Sequence, residues 1–200
     1  MAACMLAASV AGSAQAGMSV WDFNVFSRST IGSRDNPFAG NTQGAAGAVG
    51  DIWVRSASIR WDPKASPDLP GAYYGGGAFN LTGASVDSGG LEIAGSITLA
   101  SFSVNGPIRG GDSLKSESGS IVGDVSIAGT AWTSRVSISG ALRENAGFEP
   151  GVDLRAASAY FGDFARTAWM LSPTAKHTDQ WGLITIKTEG HLTVVEMSAE

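Results

Sequence analysis

Four glycines, Gly89, Gly106, Gly123 and Gly140, stand 17 residues apart, and the residue two places beyond each is aliphatic: Leu91, Ile108, Val125 and Leu142. A register held over four units restricts the possible folds more than any other feature of the chain. Two places before each glycine lie Val104, Ile121 and Ile138 in the last three units, with Asp87 in the first. Alternate residues of an extended strand share a face, so Val104, Gly106 and Ile108 point one way and Ser103, Asn105 and Pro107 the other. A second column, Ile97, Leu114 and Ala131, supplies the inner side of an opposite wall after turns near Gly95, Asp112 and Gly129. A unit this short cannot bury its apolar side alone, whereas stacked units share one core and pair each strand with its copies above and below. The register therefore predicts a mainly β chain, a parallel β-solenoid, right-handed by the general preference of parallel crossovers. Glycine on this column suits either a narrow section where opposite walls nearly touch or a close turn.

The rest of the chain fits around that stack. Residues 50–59 (GDIWVRSASI) and 75–86 (GGGAFNLTGASV) alternate apolar and polar positions and read as less regular coils. Between them, residues 60–77, with three prolines, read as a surface excursion. From Pro150 the period changes: Leu154, Ala157, Phe161, Phe164, Ala168 and Leu171 recur at steps of three and four, with Asp153 as N-cap and Pro173 beyond the end. This predicts one α-helix packed along the side of the solenoid. Residues 181–200 return to strand alternation, and the chain is expected to stop short of a closing element, as a truncated solenoid. With 44% hydrophobic residues and 27 glycines in 200, the composition suits a turn-rich β domain with a real core.

The N-terminal stretch is apolar from Ala2 to Ala11 and continues into SAQA, which places small residues at −3 and −1 of a cut after Ala16. Residues 1–16 therefore read as a secretory signal peptide, although a basic n-region is missing, and residues 17–200 as one domain. The single cysteine, Cys4, would leave with the signal, so the mature chain is expected to have neither disulfide nor thiolate chemistry. The net charge of −5 and the absence of a basic run argue against nucleic acid as a partner, and no later segment has the length of a membrane span.

Several segments together resemble the choice-of-anchor A domain of bacterial secreted proteins: WDFNVFSRSTIG, NTQGAAGAVGDIWVRSASI, YYGGGAFNLTGASV, FSVNGPIRGG, VDLRAASAYFGDFARTAWML and HLTVVEMSAE. The likeness runs from about Val20 to the end, with Gly44 to Gly50 departing from the usual pattern in lacking its arginine and paired glycines. It implies a bacterial extracellular module, secreted or at the cell surface. Some family members are labelled collagen-binding. The family typically continues into further coils and sometimes a sorting tail, and the expectation is that these 200 residues carry no such anchor.

The residues suggest no catalytic centre, cofactor or metal site. Asp112 and Asp124 do not recur at 17-residue spacing, so no acid pair of the kind used in glycoside cleavage is built. His177 and His191 lie outside any zinc spacing, and the fragment GGDS at 110–113 reads as a turn. The expectation is a non-catalytic structural or adhesive solenoid whose partner is an extracellular protein or glycan surface, with Trp53, Trp61 and Trp132 as possible surface contacts. Two alternatives are an ice-binding solenoid and a polysaccharide-active β-helix enzyme. The outward column Ser103, Ser120, Ser137 is regular enough for ice, but its neighbours Asn105, Val122, Ser139 and Pro107, Asp124, Ala141 are not.

Overall fold

The alternation of residues 97–105 becomes one wall of a coiled stack. The computed structural model describes residues 23–62, 64, 69–169, 175–180 and 183–188. Successive turns of chain add one short strand to a seven-stranded parallel sheet, the short wall: Phe23–Ser27, Ala45–Ala48, Tyr73–Gly75, Leu91–Ile93, Ile108–Gly110, Val125–Ile127 and Leu142–Arg143. The remainder of each turn runs through an eight-stranded sheet, the long wall, whose last three strands are Ile97–Asn105, Leu114–Val122 and Ala131–Ile138. This is the predicted parallel β-solenoid. Ile108 pairs with Leu91 on one side and Val125 on the other, Val125 pairs with Leu142, and Leu114 lies between Ile97 and Ala131. The 17-residue register is therefore the height of one coil. Earlier coils are longer, since Tyr73 pairs with Leu91 and with Ala46.

A corner divides the long wall lengthwise. Ser101, Ser118 and Arg135 have φ of +51°, +56° and +56° and lie one above another, continuing a column begun by Ser56 at +52° and Gly83 at +59°. Ile97 and Leu99 face the core, as do Phe102 and Val104, so the in–out alternation slips by one residue across Ser101. A left-handed residue allows two neighbours to point outward in succession, and the chain bends there. For a residue with a side chain this costs about 1–2 kcal/mol, which the core on either side offsets.

One core cluster runs through the interior of the coils, with Ile52, Phe79, Ile97, Leu114, Ile108 and Val125 essentially inaccessible. Leu142 corrects the expected column: it pairs with Val125 but is 42% exposed, because no described strand covers it. In the glycine column, Gly89 and Gly123 have φ of +78° and +147°, as the close turn among the expected explanations requires, and the stacking of coils adds a further demand. A Cβ on Gly123, whose φ is +147°, would lie 2.8 Å from the carbonyl carbon of Gly106 in the preceding coil, so stacked backbones rather than opposite walls demand glycine. Elsewhere glycine makes room for a ring: a Cβ on Gly119 would sit 2.5 Å from the ring of Phe102.

Residues 60–77 are only partly an excursion. Tyr73 and Tyr74 form a buried strand of the short wall, and Leu69 is inaccessible; Pro63 and residues 65–68 lie outside the described residues. The tyrosines follow the prolines so closely that a loop masks a core strand.

After Arg143 the chain leaves the stack and runs as a strap along the outside of the short wall. Asn145 and Ala146 still donate to the carbonyls of Gly129 and Ile127, at 3.0 and 2.9 Å. Glu144 bends back so that its carboxylate accepts the Ala131 N–H at 2.5 Å, a donor that in the two preceding coils meets the next coil's carbonyl. The strap ends at the helix Leu154–Trp169, which Asp153 caps as predicted by accepting the N–H groups of Arg155 and Ala156 at 3.0 and 2.9 Å. Leu154 and Val152 pack with Phe23, Ala45, Leu69 and Tyr74 into a second core on the outer side of the short wall. Arg28 donates to the Ser158 hydroxyl at 3.3 Å, so the start of the helix lies along the solenoid's side.

The chain divides into two compact units within this helix, one ending at Tyr160 and the other beginning at Phe161. In the second unit, Phe161 and Phe164 are half-buried, and Arg166 pairs with Asp163 at 3.3 Å. Strands Ala175–Gln180 and Leu183–Thr188 form an antiparallel hairpin with its own two-stranded sheet. Leu171, Pro173 and His191 lie outside the described residues.

Candidate binding surface

The two walls differ in what covers them. On the short wall, the outward residues Tyr74, Glu92 and Arg109 stack in register beneath the strap. Glu92 accepts from Arg109 at 2.8 Å and from the Gly151 N–H at 2.5 Å; Arg109 also donates to the Glu149 carbonyl at 2.7 Å and lies 5.9 Å from the Phe148 ring centroid. Burial pushes the Tyr74 phenol up to about 12, partly opposed by the Gly71 N–H it accepts at 2.6 Å. A cleft of about 520 Å³ beside the strap is lined by Val49, Tyr74, Glu92, Phe148, Asp153 and Arg155 among others. Its carboxylates hold the strap and cap the helix, so the cleft is a gap beside a latch.

The long wall presents its outward side chains to solvent. One row reads Trp53, Asn80, Thr98, Lys115, Trp132, each residue paired in register with the next. The adjoining row is Arg55, Thr82, Ala100, Glu117, Ser134. Four coil steps of about 4.8 Å put the two tryptophans roughly 19 Å apart along the stack. Trp132 is 52% exposed with the Lys115 ammonium 5.6 Å from its ring centroid, while Trp53 is half-buried. Glu117 pairs with Arg135 at 2.6 Å. Two of the three tryptophans singled out from the sequence thus share one row.

Trp61 stands apart. It is half-buried against the core, its backbone N–H donates to the Ser88 carbonyl at 3.3 Å, and a Cβ on Gly89 would meet the Trp61 Cβ at 2.7 Å. It fills a corner that the glycine column leaves open, and its indole N–H is buried without a hydrogen-bond partner among the described residues.

Beyond the corner, the outward serines form a longer ladder than expected: Ser58, Ser85, Ser103, Ser120, Ser137. At its start Asp87 accepts the hydroxyls of Ser58 and Ser85, at 2.6 and 2.7 Å, and these bonds hold its carboxyl below the usual range. Asp124 accepts the Ala141 N–H at 2.9 Å and pairs with Arg143, which lowers its carboxyl likewise. Both aspartates are committed to holding coils together. Asn80, Thr98, Lys115 and Arg55 were not singled out from the sequence, because the early coils differ in length and hide the row they share with the tryptophans.

No family model matches the chain, and neither the curated proteins nor the solved structures searched show a match to it.

Proposed function

We propose that this chain is a non-catalytic adhesive module of the choice-of-anchor A kind, secreted or held at the cell surface, that contacts an extended extracellular glycan along the outer face of its long wall. The observation that supports this reading is the row joining Trp53 to Trp132 through an amide, a hydroxyl and an ammonium. Tryptophan offers a broad apolar face to the C–H side of a sugar ring, and groups such as Asn80 and Thr98 can exchange hydrogen bonds with its hydroxyls. The same face could instead serve a protein partner, but a flat row with apolar ends and a polar middle suits a linear chain of sugars better. No step of chemistry or cofactor is needed. An ice-binding role draws support from the serine ladder, yet Asp87 draws two of its hydroxyls aside and Val122 interrupts the neighbouring row.

Tryptophan fluorescence of the purified chain, titrated with a panel of soluble polysaccharides, tests the reading. A saturable change with at least one glycan, abolished in Trp132→Ala and reduced in Trp53→Ala, is the expected result. No response to any glycan, together with thermal hysteresis in ice-growth assays, would replace it with the ice-binding reading.

A further inference from the structure

The charges beside the row narrow the ligand class, an inference that rests on the glycan reading above. We infer that the wall takes an acidic linear polysaccharide, one bearing uronate carboxylates, laid along the stack from Trp53 to Trp132. Each tryptophan has a cation at its side: Arg55 follows Trp53 by two residues on the same outward face of strand Ile52–Arg55, and Lys115 stands directly beside Trp132. Among the described residues neither Arg55 nor Lys115 forms a salt bridge, and both are exposed. Within the two rows the one acid is Glu117, and Arg135 pairs with it. The unpaired charges of the two rows themselves are therefore both cations, although the whole chain carries −5. A tryptophan face paired with a cation matches a sugar ring that bears a carboxylate at its edge, and a neutral glycan would leave both cations unused. Attraction through such exposed charges weakens with salt, whereas stacking does not.

Affinity electrophoresis separates the possibilities, using native gels containing polygalacturonate, alginate, dextran sulfate or hydroxyethylcellulose. The expected result is retardation by polygalacturonate or alginate that fades with added salt and is weakened about tenfold or more by Trp132→Ala and by the double change Arg55→Gln with Lys115→Gln. Thermal melts of these variants should match the parent, since all three positions are at the surface. Equal retardation by hydroxyethylcellulose would overturn the acidic assignment and leave the glycan reading standing. Retardation by dextran sulfate alone would overturn the uronate assignment. Retardation by none of them would overturn both.

Discussion

Gly119 and Ser116 show how finely the coil interior is divided among single residues. Gly119 leaves room for the Phe102 ring, while Ser116, fully buried on the inward row above Leu99, has no hydrogen-bond partner for its hydroxyl among the described residues. Replacing Ser116 with alanine removes an unsatisfied polar atom and should raise the melting temperature slightly. Val125, inaccessible between Ile108 and Leu142, is the opposite case. Val125→Asp buries an unpaired carboxylate and should cost at least about 3 kcal/mol in chemical denaturation; a loss below about 1 kcal/mol would mean that this column does not face the core. The tyrosines give a pH prediction. Burial raises the Tyr73 phenol strongly and Tyr74 to about 12, from an ordinary 10.0. The folded state thus favours the neutral phenols, so this contribution to stability is intact below about pH 10 and declines as pH rises towards 12. Absorbance titration should show two tyrosines silent until the chain unfolds in alkali.

At the scale of elements, regular spacing was legible in the sequence and local irregularity was not. Inner columns such as Ile97, Leu114, Ala131 could be read because equal coils repeat the same alternation. The corner could not, because serine and arginine are unremarkable in sequence and only their stacked positive φ reveals a bend. The strap was also invisible, since Arg109, Glu92, Glu149 and Gly151 meet through contacts unrelated to any period. The helix was readable from both its spacing and its cap. Asp153→Ala should cost about 1 kcal/mol, and Glu92→Ala should free the strap, seen as faster amide exchange at Gly151 without global unfolding. The lowered carboxyls add an acid dependence: their stabilisation is present above the ordinary carboxylate range and is lost as pH falls through their folded values. Asp87→Asn combined with Asp124→Asn should flatten the acid limb of the stability profile; an unchanged limb would show that these carboxylates do not link adjacent coils.

For the solenoid as a whole, the coil is the unit of both stability and surface. Its short wall is held by a strap and a second core, and its long wall is left to present repeating outward rows. The sequence alone could name Trp53 and Trp132 but could not align them, because coils of unequal length separate them. A one-coil deletion tests this account most directly. Removing residues 114–130 takes out 17 residues and should let Ala131 pair with Ile97 and Leu142 with Ile108, the same contacts one coil lower. Circular dichroism melts should show this variant still β-rich and cooperatively folded at a reduced melting temperature, while a deletion of residues 114–129, one residue shorter, should shift the inward side chains out of the core and fail to fold. Equal behaviour of the two deletions, both folded or both unfolded, would contradict the stacked register on which the account rests.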